Sequence, residues 1–150
     1  MNRQILKTIL NSMFIILLLG AQAAAHCEIP CGIYDDAMRI NMLREHITTI
    51  EKSMNQILAL EQKPGENANQ LIRWVLNKEQ HADALQEIVT QYFMTQRIKP
   101  EAKQYLVKLQ ALHELLLAAM KSKQTNDLGQ VKRLRELVDQ FEKSYFNHNL

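Results

Sequence analysis

Beyond residue 25, proline and glycine occur only at Pro30, Gly32, Pro64, Gly65, Pro100 and Gly129. The long intervals between them are rich in Leu, Ile, Met, Gln, Glu and Lys, residues that favour helix, and nothing interrupts them. No strand-like alternation competes. The first helix is expected to start near Asp35 or Asp36, acids suited to a helix N-terminus, and to stop at Lys63-Pro64-Gly65. Its apolar residues Ile40, Leu43, Ile47, Ile50, Met54 and Ile57 recur in steps of three and four, the seam of a helix in a bundle. A second helix is expected from about Asn67 to Phe93, with Ile72, Val75, Leu76, Ala82, Leu85, Val89 and Tyr92 along one side. Pro100 suits the first turn of a third helix, continued by Leu106, Leu109, His113, Leu116 and Met120. After the polar link at residues 122–127, Val131, Leu134, Val138, Phe141 and Tyr145 mark a fourth. Four helices with short links predict an all-α fold, an antiparallel up-down four-helix bundle over residues 35–147.

Residues 1–25 do not belong to that pattern. Arg3 and Lys7 give a basic start, "MFIILLLGA" at 13–21 is a short apolar run, and Ala23 and Ala25 satisfy the small-residue rule for cleavage. The segment reads as a leader cut after Ala25. The alternative, a retained membrane anchor, needs about 20 apolar residues. The expected address is exported, periplasmic or extracellular, with no membrane contact once the leader is gone; it is cytoplasmic if the leader is a propeptide instead. The leader holds two of the 18 Lys and Arg and none of the 16 Asp and Glu, so residues 26–150 carry no formal net charge. A general nucleic-acid binder normally shows a basic excess or stripe, so that class is disfavoured. The chain also lacks a Gly-rich phosphate loop, a nucleophile elbow and an H-E-x-x-H helix.

Both cysteines, Cys27 and Cys31, lie within six residues of the cleavage point. A disulfide between them would enclose almost no chain, and loop-closure stabilisation grows with the length enclosed. Local chemistry explains them better. Cleavage would give His26 a free α-amine beside its imidazole; Cys27 offers a thiolate and its backbone nitrogen, and Cys31 a second thiolate. Pro30 restricts the chain and Gly32 permits a tight turn, so Cys31 can be folded back toward Cys27. A planar set of two nitrogens and two sulfurs suits nickel(II) or copper(II) better than zinc, which prefers a tetrahedron. In the uncut chain the His26 nitrogen is an ordinary amide, so processing should activate the site. The scattered methionines Met38, Met42, Met54, Met94 and Met120 read as packing rather than as a metal box.

"HCEIPCGIYDD" resembles the N-terminal hook of nickel superoxide dismutases, His-Cys-x-x-Pro-Cys-Gly-x-Tyr at a newly exposed N-terminus. His26, Cys27, Pro30, Cys31, Gly32 and Tyr34 match every fixed position. The resemblance implies dismutation of superoxide to oxygen and hydrogen peroxide, with one nickel ion per subunit cycling between its divalent and trivalent states. It implies the His26 amine, Cys27 amide and Cys27 and Cys31 thiolates as ligands in the plane, the His26 imidazole as an axial ligand, a maturation protease and a homohexamer. Tyr34 would order water and limit anion approach at the mouth, or pack the hook against a helix. The backbone N–H groups of Glu28 and Cys31 would position the anion; Glu28 replaces the Asp often found there.

Two positions depart from the family. Where a Glu supports the axial imidazole, an ungapped alignment puts Met42; where an Arg does so, alignment on the core of "NKEQHA" puts His81. His81 either takes over that support or is an ordinary helical histidine, with His46, His113 and His148 ranked below it. Two other functions compete with the enzyme: an exported copper- or nickel-binding helical protein without turnover, and a plain helical interaction module.

Overall fold

The computed structural model describes residues 35–146, together with Gln4, Lys7, Ser12 and Met13. Four α-helices follow one another: α1 (Asp36–Leu60), α2 (Pro64–Glu87), α3 (Tyr105–Gln124) and α4 (Leu128–Phe146). Helix α2 runs on without a break into a π-helical segment, Ile88–Arg97. The described residues contain no strand, and no described helix is long and apolar enough to cross a membrane. Helix α1 packs against α2 and α4, and α3 against the same two, so the four enclose one core.

The start of α1 divides two neighbouring acids between two tasks. Asp35 is the N-cap: its Oδ1 accepts from Ala37 N–H at 3.0 Å, satisfying one of the donors that a helix start leaves over. Asp36, the first helical residue, turns its carboxylate inward. All six seam residues of α1 are buried, as the three-four spacing predicts. On α4, Val131, Leu134, Val138 and Phe141 are buried and Tyr145 packs against the core.

Elsewhere the expected faces and ends shift. Helix α2 begins at Pro64 rather than Asn67, because proline's fixed φ suits a first turn. Of its expected stripe, Ala82, Leu85, Val89 and Tyr92 are buried, but Ile72 is 61% and Leu76 55% exposed, and Val75 is exposed too. The third helix does not start at Pro100. Residues 99–104 form turns, and α3 begins at Tyr105 after Gln104, whose φ of 56° is left-handed and cannot continue a helix. Its core face is Lys108, Ala111, Leu112, Leu115, Ala118, Ala119 and Ser122, while Leu106 is 76% exposed and His113 and Met120 are exposed. The sequence "YLVKLQALHELLLAAM" has leucines on every side, so spacing does not single out one face. Helix α3 also runs to Gln124, through the first half of the expected polar link.

The far end of α1 is tied to the α3–α4 link. The buried Lys78 ammonium donates to Thr125 O at 3.0 Å and Asn126 Oδ1 at 3.1 Å, and burial lowers its pKa. Asn126 Nδ2 donates in turn to Glu61 Oε1 at 3.2 Å.

Candidate metal centre and its supports

The hook residues His26, Cys27, Glu28, Cys31 and Tyr34 lie outside the described residues, as does His148. What the structure describes is the platform that follows directly on from them. At its near edge, the Asp36 carboxylate receives three groups from two other elements. Tyr92 Oη donates to Oδ1 at 2.5 Å and Tyr145 Oη to Oδ2 at 2.7 Å. Arg97 Nε lies 2.9 Å from Oδ1 as an ion pair, although off the direction of a good hydrogen bond. Arg97 Nη2 also donates to Tyr92 Oη at 2.9 Å. Burial, and then the neighbouring Asp36 carboxylate, raise the pKa of both phenols, so each remains a neutral O–H donor.

The π-helix makes this convergence possible. Ile98 N–H donates to Phe93 O at 2.9 Å, five residues back, and Thr95 Oγ1 reaches Thr90 O at 2.7 Å with the same offset. A wider turn brings residues five apart onto one side, here Tyr92 and Arg97; in an α-helix they would diverge. The run Ile88-Val89-Thr90, β-branched throughout, weakens the preference for tight α turns. Arg39 and Arg97 flank the Tyr92 ring, their guanidinium carbons 4.7 and 5.0 Å from its centroid. Beside Asp36 opens a cavity of about 510 Å³, lined also by Arg97, Lys103, Lys108, Tyr145 and Phe146. Three cations against one carboxylate make it electropositive.

Ten residues along α1, His46 meets His81 of α2, with Nδ1···Nδ1 at 2.9 Å. The ring centroids are 5.1 Å apart, so the two nitrogens face each other nearly end-on. That geometry holds one shared proton and leaves no room for an ion between them. It also forbids both rings from being charged comfortably: burial, and then His81, lower the His46 pKa. With one Nδ1 donating and the other accepting, a neutral pair carries one Nε2–H and one Nε2 lone pair on its outer edges. Met42 stands one turn before His46, partly buried against the core. His113 is exposed on α3 and joins neither group. The described residues hold no cluster of three or more His, Cys, Asp or Glu able to bind a metal.

Sequence reasoning singled out His81 but not its partner, and it treated Asp36 only as a helix start. Nothing in the spacing of His46 and His81, 35 residues apart, announces their pairing. Two histidines, each directly before an apolar seam residue (Ile47 and Ala82) of neighbouring expected helices, were the available signal. Tyr92 and Tyr145 were legible as packing residues, yet their hydroxyls have a second use.

The described helices follow directly on the segment that carries both cysteines of the chain. The family model of nickel-containing superoxide dismutase matches residues 21–149, and the chain belongs to that family. It is therefore an oxidoreductase that uses nickel to dismutate superoxide, an antioxidant activity. Searches among curated proteins and among solved structures returned no match.

Proposed function

We propose that the working enzyme is residues 26–150, released by a protease from the leader at 1–25, with residues 26–34 as the hook. The His26 amine and imidazole, the Cys27 amide nitrogen and thiolate and the Cys31 thiolate are the ligands, one nickel per subunit. The donor set fits the ion: thiolates and an amide nitrogen are electron-rich and favour higher oxidation states than imidazoles or carboxylates would. The observation that carries this reading is the full set of fixed hook residues at the start of the family match.

Bound nickel supplies one-electron chemistry, by which two superoxide anions and two protons become one oxygen and one hydrogen peroxide. The chain's residues do the rest. Cys27, Cys31 and the His26 amine must lose protons to bind, so affinity falls at low pH. Tyr34 limits access at the mouth, and the N–H groups of Glu28 and Cys31 position the anion. His81 presents its outer nitrogen to the His26 imidazole, while His46 fixes the tautomer and ring angle of His81 through the 2.9 Å contact. Met42 contributes an apolar neighbour in place of a carboxylate.

The bundle is up-down and antiparallel in this proposal. Arg44 pairs with Asp139 and Glu142, whereas Glu51, further along α1, pairs with Arg135. His46 meets His81, and Ser53 meets Asn77. Gln86, Asp83 and Lys78 meet Leu116, Lys123 and Thr125 in that order. In each set, rising numbers on one helix oppose falling numbers on the next. Export and assembly as a homohexamer complete the proposal.

The test is direct. Mass spectrometry of the native protein is expected to find His26 as the first residue, and metal analysis about one nickel per chain, from one ligand set. The cleaved, loaded protein should speed superoxide loss and show a nickel(III) paramagnetic resonance signal split by a nitrogen ligand. A native chain starting elsewhere, or stoichiometric nickel without turnover, would count against the proposal.

A further inference from the structure

The Asp36 cluster asks for an explanation beyond helix initiation. Asp35 already caps α1, so Asp36 is not needed for that purpose. A carboxylate at a helix start normally stays in water and favours the positive end of the dipole at little cost. This one is drawn inward, and each of its oxygens is used: Oδ1 by Tyr92 and Arg97, Oδ2 by Tyr145. The contacts come from the π-helix and from α4, elements 56 and 109 residues away in the chain for the two tyrosines. A ten-residue π-helix is itself rare and tends to occur where function requires a particular arrangement. Its effect here is to place Tyr92 and Arg97 on the same carboxylate.

Asp36 lies two residues after Tyr34 and five after Cys31. Two residues of extended chain span no more than about 7 Å.

We propose that Asp36 is a positioning residue: gripped by Tyr92, Tyr145 and Arg97, its carboxylate fixes the first turn of α1, the point from which the hook segment sets out. The proposal rests on the hook reading given above. Three supports on one carboxylate define its orientation as one would not, because a single hydrogen bond leaves rotation about the side-chain bonds open. Arg97, Lys103 and Lys108 line the same cavity as Asp36, so the carboxylate faces positive charge on that side.

The test uses the cleaved protein, apo and nickel-loaded, as wild type and as Asp36→Asn, Asp36→Glu, Tyr145→Phe and Tyr92→Phe. In the apo form, hydrogen exchange at the first turn of α1, residues 37–39, should quicken in Asp36→Asn while the core of α1 exchanges as before. In the loaded form, nickel content and helicity should match wild type. kcat should fall at least about tenfold, the scale of a small misplacement of reacting groups, with KM changed less. The nickel(III) resonance should broaden into more than one species. Asp36→Glu should recover part of kcat and of the single resonance. Tyr145→Phe, which removes only one support and keeps the core filled, should show the same pattern more weakly. Wild-type kcat and resonance in both Asp36→Asn and Tyr145→Phe would overturn the proposal while leaving the enzyme assignment intact. A wild-type protein without nickel or turnover would overturn both.

Discussion

His46 shows how one side chain reports on its surroundings. Its ring is half-buried between α1 and α2, with the His81 nitrogen 2.9 Å away and Glu45 beside it on its own helix. Burial lowers its pKa below the ordinary 6.5, and His81 adds to the effect more than Glu45 offsets it. Below that value the unfolded chain takes up a proton more readily than the folded one. Stability is therefore present above the unfolded pKa and is lost as pH falls through the folded one. Urea titrations of the apo protein between pH 7 and pH 5 should show that loss, and His46→Gln, which can still hydrogen-bond His81, should show less of it. An identical pH dependence in wild type and variant would mean that His46 is not the group responsible.

At the scale of elements, the π-helix and α4 are joined by aromatic rings. Phe93 lies between Tyr92, Phe141 and Tyr145, with centroids at 5.2, 4.9 and 5.5 Å and mostly edge-to-face. Such pairs favour the positive edge of one ring over the negative face of another. Phe93 is fully buried, so Phe93→Ala leaves a cavity as well as losing apolar burial. A destabilisation of about 3–5 kcal/mol is expected from chemical denaturation. The loss should also quicken hydrogen exchange across residues 88–97, since this contact holds the wide turns that α propensity alone would tighten. The surface ion pairs joining α1 to α4, Arg44 with Glu142 and Arg135 with Glu51, are partly exposed. Each contributes about 0.2–1 kcal/mol, so they set the register of the two helices more than they hold them together.

For the whole molecule, the helical core and the proposed metal ligands are separable. The core comes from residues after Asp36, whereas both cysteines precede it. Cys27→Ser and Cys31→Ser are thus expected to abolish nickel-dependent superoxide loss and the nickel(III) signal while leaving the circular-dichroism helicity nearly unchanged. Collapse of the helical signal in either variant would mean that the cysteines serve the fold. Met42 packs against the core and His81 pairs with His46 without disturbing the buried seam of α1.

The number of helices, the seams of α1 and α4 and the family could be read from the sequence. Breaker positions and three-four spacing are local properties, and six fixed residues within nine carry the hook. The face of α3, the exposure of Ile72 and Leu76, the start at Tyr105 and the π-helix could not. Each depends on which neighbour covers a helix that is apolar on several sides, or on how the turn at 99–104 is closed. The meeting of His46 with His81, and of Asp36 with two tyrosines and an arginine, was likewise decided by tertiary structure. Such contacts join residues that periodicity places only on their own helices, and packing alone determines which side chains from different helices share a carboxylate or a proton.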